Sequence, residues 1–140
     1  MLPLRLVLDT NIVVSAALKP DSLPRTVLLL ALTKPARLYV SSAILEEYRH
    51  VLSRPELRIR RGIQRQIVDL IVHRAYLVKP LRALRVAADP ADDIFVECAD
   101  AGRADYLVTG NPRHFPKFWK QTKIISSREL IDLVAPHLGG

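Results

Sequence analysis

The sequence predicts a single α/β domain, a parallel sheet with helices on both faces. Short apolar runs alternate with helix-length segments along the whole chain, the pattern of successive strand–helix–strand units. The chain has 140 residues, 49% hydrophobic and 25% charged, a size and balance that suit one domain with a substantial core. No Pro/Gly/Ser-rich linker, low-complexity tract or fixed-period repeat divides it, so residues 1–140 read as one domain.

The elements follow in order. Leu4 to Leu8 (LRLVL) is an apolar run that stops at Asp9, a buried strand. Asn11 to Leu18 is helix-compatible and is broken by Lys19-Pro20-Asp21-Ser22. Asp21 or Ser22 can cap a helix through about Leu32, which Pro35 ends. Arg37 to Val40 is a second strand, and Ser41 and Ser42 stand where an N-cap belongs before a helix over 43–53. A basic connection, 54–61, leads to a helix from about Ile63 to Leu77. Leu84 to Ala87 is expected as a third strand, with a turn at Asp89-Pro90 and a helix over Asp92 to Ala101. Tyr106 to Thr109 is a strand, Gly110-Asn111-Pro112 a turn, Lys123 to Ile125 the last strand, and Ser127 to Leu138 the last helix, capped by Ser126 or Ser127.

Composition excludes several classes. A lone cysteine, Cys98, rules out an internal disulfide framework and a multi-cysteine zinc site, and its place on an apolar helix face makes it a core residue. The opening MLPLRLVLDTN has no signal-peptide pattern, and no stretch approaches the ~18 apolar residues that would span a bilayer. The expectation is a soluble cytoplasmic protein with no membrane partner. The net charge is +7, and 15 of the 21 basic residues are Arg, whose planar fork matches phosphate: the charge reads either as a surface for nucleic acid or an acidic protein, or as general basicity of the kind Arg-rich coding gives.

Three carboxylates stand where an open parallel sheet binds ligands, beyond the carboxyl ends of its strands. Asp9 ends the first strand. On a helical wheel Glu47 borders the apolar face of Ile44, Tyr48 and Val51, while Glu46 points to solvent. On the next such helix Asp92 borders the apolar face and Asp93 faces away. Taken singly, each has a plain structural reading: an N-cap, a boundary salt bridge, an acidic first turn. Together they form a set that repels itself unless a cation holds it. Hard oxygen ligands select Mg²⁺ or Mn²⁺, and such an ion with a phosphate suits phosphodiester hydrolysis.

LRLVLDTNIVVSAAL, SSAILEEYRHVL, DPADDIFVECADAGRADYLVTGNPRHFP and KIISSRELIDL resemble, in that order, the successive motifs of PIN-domain ribonucleases, and of VapC-like toxins of toxin–antitoxin pairs in particular. The resemblance runs from residue 4 to about residue 133. It implies an α/β/α sandwich with a central parallel sheet, and a Mg²⁺ or Mn²⁺ site that cleaves RNA. Carried over by position, the metal ligands are Asp9, Glu47 and Asp92, and Thr10, Asn11 and Thr109 orient the site. The fourth acidic position is Asn111, a neutral amide, which puts a second metal in doubt. Asp105 precedes its strand, at the end away from the site, and reads as structural. The resemblance also implies an antitoxin partner and a homodimer, for which the apolar segment Val27 to Leu32 is a candidate surface if it is not core.

Two basic segments offer an RNA path. One gathers Arg54, Arg58, Arg60, Arg61 and Arg65. The other, directly after the Asn111 turn, carries Arg113, His114 and Lys117, then Lys120 and Lys123, interleaved with Phe115, Phe118 and Trp119. Its cations can track phosphates, and its aromatics either stack on bases or fill the core. His50 and His73 read as helix-surface or packing residues. Two competing functions remain open: a PIN-like module that binds RNA or a partner without cutting, motivated by Asn111, and a phospho-receiver, which ranks lower because the first strand ends in a single Asp followed by Thr-Asn.

Overall fold

A computed structural model describes residues 4–138. Its strands are β1 (Arg5–Leu8), β2 (Arg37–Val40), β3 (Tyr76–Leu77), β4 (Tyr106–Val108), β5 (Phe118–Trp119) and β6 (Thr122–Ile125). Its helices are α1 (Thr10–Leu18), α2 (Leu23–Ala31), α3 (Ser42–Leu52), α4 (Arg61–Arg74), α5 (Asp93–Gly102) and α6 (Ser127–Leu138). The strands form one sheet in the order β3-β2-β1-β4-β6-β5, parallel except for the β5 edge.

Successive strand residues point to opposite faces, yet Leu6, Val7 and Leu8 are all fully buried, so β1 is covered on both sides. Helix α5 packs on β1, β2 and β4, while α1 packs on α2 and α3, and α2 on α6. Cys98 and Phe95 lie in the core, and burying a side chain the size of Phe95 contributes roughly 1.5–3 kcal/mol. In α2, Val27, Leu28 and Ala31 are core, as is the C-cap Leu32, and Leu29 is exposed. No helix among the described residues is long and apolar enough to cross a membrane.

Helix starts are set by local chemistry. Ser22 and Ser41 cap α2 and α3 by accepting the backbone N–H of Arg25 and Ile44. Ser126, not Ser127, caps α6: its hydroxyl accepts from Glu129 N at 3.1 Å and Glu129 Oε1 accepts from Ser126 N at 3.2 Å, a reciprocal capping box.

Three expectations need correction. The helix expected to reach Leu77 ends at Arg74, because Tyr76 and Leu77 pair with Tyr39 and Val40 as β3. Residues 84–87 are not a strand. Their N–H groups go to side chains of α5: Leu84 N donates to Glu97 Oε2, and Val86 N and Ala87 N both donate to Asp93 Oδ1. The third is β5: within the basic, aromatic segment after Asn111, for which the sequence predicts no strand before Lys123, Phe118 and Trp119 form a two-residue antiparallel edge on β6.

Candidate functional site

The carboxyl ends of β1 and β4 lie side by side, with Leu8 opposite Val108, and β2 flanks β1 on the other side. The chain leaves β1 in one direction and later fills the other, so the β1–β4 junction is the switch point where open α/β sheets bind ligands. Asp9 sits there. Its N–H donates to Val108 O at 2.9 Å, which fixes the backbone to the neighbouring strand. One carboxylate oxygen accepts Thr10 N at 2.7 Å, the N-cap of α1, and the other accepts the Thr109 hydroxyl at 2.7 Å. Asp9 is thus the N-cap of α1 and the acceptor of Thr109 at once.

Glu47 is brought in by its neighbour. Tyr48 is fully buried and its hydroxyl donates to the Leu8 carbonyl, tying α3 to the end of β1. Glu47 is half-buried in the cleft wall, and no cation of the described residues lies within ion-pair distance of it. Glu46 is exposed and makes only a loose surface pair with Arg49 at 3.9 Å.

Asp92 closes a short 3-10 turn, Pro90–Asp92, and is half-buried. Asp93 is buried, contrary to the wheel that turned it to solvent. The wheel assumed a bare outer face for α5, but the 82–87 segment lies over that face and its N–H groups need acceptors. Asp93 and Glu97 supply them from one face of the helix. Asp100, further along the helix, accepts from the side chains of Arg82, Lys120 and Trp119. Burial alone would raise the Asp100 pKa, but these donors outweigh it and hold the carboxyl below its ordinary value.

Asp9, Thr10, Glu47, Asp92, Asn111 and His114 line one cleft of about 370 Å³, whose far rim is Arg54 and Glu56. Asn11 also borders it, and its Oδ1 accepts Gly110 N at 3.1 Å. Thr109 reaches it through Asp9, and the Thr109 hydroxyl in turn accepts Asn111 N at 3.0 Å. Burial raises the Asp9 carboxyl pKa against the pull of its two donors. Burial, then the charges of Asp9 and Asp89, push Asp92 up to about 6. His114 Nδ1 is 3.9 Å from Asp92 Oδ2 and opposes both shifts in its charged form.

These residues fit a hard divalent cation. The cleft carries four carboxylates, Asp9, Glu47, Glu56 and Asp92, against Arg54 and His114, and the Thr10 hydroxyl on its wall is buried with no hydrogen-bond partner, a polar group that calls for a water or ligand. Among the described residues no three acid, histidine or cysteine side chains converge tightly enough to enclose an ion alone.

Of the cations expected on an RNA path, Arg54 and His114 line the cleft; Arg113 and Lys117 are exposed on the segment that leaves it. Phe115 plugs the core and Trp119 is tied to Asp100, so Phe118 alone of the three is largely exposed. Lys120 is committed to Asp100 as well. His50 and His73 are on helix surfaces. Asp105 accepts Arg5 N at 2.8 Å at the opposite end of the sheet, a structural role. The sequence reading did not place Arg54 and Glu56 at the cleft. Their return to it depends on the turn at Pro55–Leu57, which no pattern of residue types announces.

Comparison with known proteins agrees with this architecture. The chain is similar over 111 residues, at 26% identity, to the uncharacterized protein MJ1680 of Methanocaldococcus jannaschii, covering 77% of this chain and 71% of the relative. In fold it is similar to a chain of VapBC2 from Rickettsia felis, solved bound to a DNA fragment from its promoter. The TM-score is 0.60 at 19% identity, with 88% of this chain and 98% of the other covered. Residues 5–113 match the PIN domain family, and the chain belongs to that family.

Proposed function

We propose that the protein is a metal-dependent endoribonuclease that hydrolyses RNA phosphodiester bonds with Mg²⁺ or Mn²⁺, and that it is the toxin of a type II toxin–antitoxin pair. PIN domains are generally nucleases. The observation that carries the reading is that Asp9, Glu47 and Asp92 line one cleft in which carboxylates, Glu56 included, outnumber the cations Arg54 and His114. The fold likeness to a VapBC2 chain supports an antitoxin partner; a homodimer is part of the same proposal.

A bound divalent ion would supply a Lewis acid for the phosphoryl oxygen and a water of lowered pKa. The protein's part is orientation. Thr10 N and Thr109 hold Asp9 in one rotamer and leave its remaining lone pairs for a ligand. Glu47 and Asp92 bring further oxygens, and Asn11 and Gly110 brace the wall that carries Asn111. His114 stands beside Asp92, where its ring can meet a phosphate oxygen. Arg113 and Lys117 would follow the strand as it leaves the cleft, positioning it without reading bases.

A second reading is favoured by Asn111. A neutral amide at the fourth acidic position lowers the charge available to a second ion, which suits a PIN-like module that binds RNA or a partner and cuts slowly or not at all. Incubating purified protein with single-stranded RNA separates the two. The nuclease cuts with Mg²⁺ or Mn²⁺ and stops in EDTA; the binding module retains RNA in gel shifts and yields no fragments with either ion.

A further inference from the structure

Beside the carboxylate cleft lies a second cavity of about 430 Å³, with Asn11 and Asn111 forming a shared wall. No carboxylate lines it: its polar groups come from Asn11, Ser15, Asn111, Ser127 and Arg128, its apolar wall from Ile12, Leu23 and Pro24, and the nearby Glu129 carboxylate is held on Ser126 N at 3.2 Å. It opens on the first turn of α6. There Glu129 N is taken by the Ser126 hydroxyl, and no acceptor among the described residues meets Ser127 N or Arg128 N. Ser127 is buried to 9% exposure, yet its hydroxyl has no hydrogen-bond partner. A buried hydroxyl without a partner is uncommon, and one beside two free N–H groups at the positive end of a helix is matched by an anion. Asn11 adds a donor: Gly110 N occupies its Oδ1, which leaves Nδ2 free. A side chain on Gly110 would meet that amide, since its Cβ would lie 3.3 Å from Asn11 Nδ2.

We propose that this cavity is a phosphate subsite, which grips a backbone phosphate of the nucleic-acid strand next to the one held at the carboxylate cleft. The Ser127 hydroxyl, the N–H groups of Ser127 and Arg128 and the Arg128 guanidinium would bind the anion, and Asn11 would couple the two cavities. The identity of the strand rests on the nuclease reading; the anion chemistry does not.

The test follows backbone amide signals of the whole protein by NMR in EDTA, so that no cleavage or metal binding contributes. The probes are inorganic phosphate and a short single-stranded 2′-O-methyl RNA, which cannot be cut. Both should move the Ser127 and Arg128 signals, and phosphate should compete with the strand. The same strand with neutral methylphosphonate linkages should leave them still. Arg128→Gln should weaken strand binding about tenfold or more, the scale of a lost charge-assisted contact. Ser127→Ala removes only an unpartnered hydroxyl from the fold, so it should stay folded and bind phosphate less tightly. Shifts with phosphate but not with the RNA would overturn the assignment to a strand, and no shift at α6 with either probe would overturn the site altogether. Cleavage is read separately with Mg²⁺ or Mn²⁺: unmoved RNA lengths alongside intact α6 shifts would contradict the nuclease and support the subsite.

Discussion

Thr109 donates its hydroxyl to Asp9 across a junction of two strands that lie 100 residues apart in the chain, at 2.7 Å. The same oxygen accepts Asn111 N, so one buried threonine aligns the strand-ending acid and the turn that carries the neutral amide. Thr109→Val keeps the shape and removes both bonds. It should destabilise the metal-free protein by about 1–3 kcal/mol at pH 7, and by less at pH 4, where Asp9 is increasingly protonated. Urea melts at the two pH values check this. An equal loss at both would mean that the bond serves the backbone and not the carboxylate.

Asp93 and Glu46 separate buried from exposed acid. Asp93 Oδ1 accepts two backbone N–H groups, at 2.9 and 2.8 Å, and pins the 82–87 segment. Asp93→Asn weakens these bonds and buries an amide NH₂, so it should lose about 1–3 kcal/mol. Glu46→Gln should change stability by no more than about 0.5 kcal/mol. Denaturant unfolding of the two variants reads the difference directly.

The cleft acids set a pH dependence of the metal-free protein. Asp92 is held at about 6, above the ordinary 3.8 of an unfolded aspartate, so the folded state binds its proton more tightly. That contribution is fully present below about 3.8 and is lost as pH rises through about 6. Asp9 shifts in the same direction, mainly through burial. Asp92→Asn removes the loss, so its melting temperature in EDTA should rise relative to the native protein between pH 4 and pH 7. A constant offset over that range would contradict an uncompensated Asp92.

Much of the architecture was legible because strand and helix signals were local. LRLVL, RLYV and the serine caps define β1, β2 and the starts of α2 and α3 without help from tertiary contacts. The Glu46/Glu47 distinction was legible for the same reason: α3 buries one regular face. Asp93 was not, because a helix wheel sees only its own helix and the cover over α5 is an irregular segment with no pattern of its own. The 84–87 expectation failed alongside it, since a β-like apolar run found carboxylates before it found a strand. Strands as short as Tyr76–Leu77 and Phe118–Trp119 exist only because a neighbouring edge is available to pair with.

The most direct measurement compares RNA cleavage by Glu47→Gln and Glu46→Gln at saturating Mg²⁺, with the melting temperature of each in EDTA. The two substitutions remove the same charge from adjacent residues of one helix, and only Glu47 lines the cleft. If Asp9, Glu47 and Asp92 share a metal, Glu47→Gln should lower the cleavage rate by orders of magnitude without lowering the metal-free melting temperature, because it removes one of several repelling acids. Glu46→Gln should leave both nearly as they were. Equal rates in the two variants, or a loss that follows Glu46, would contradict the assignment of the cleft as the catalytic centre.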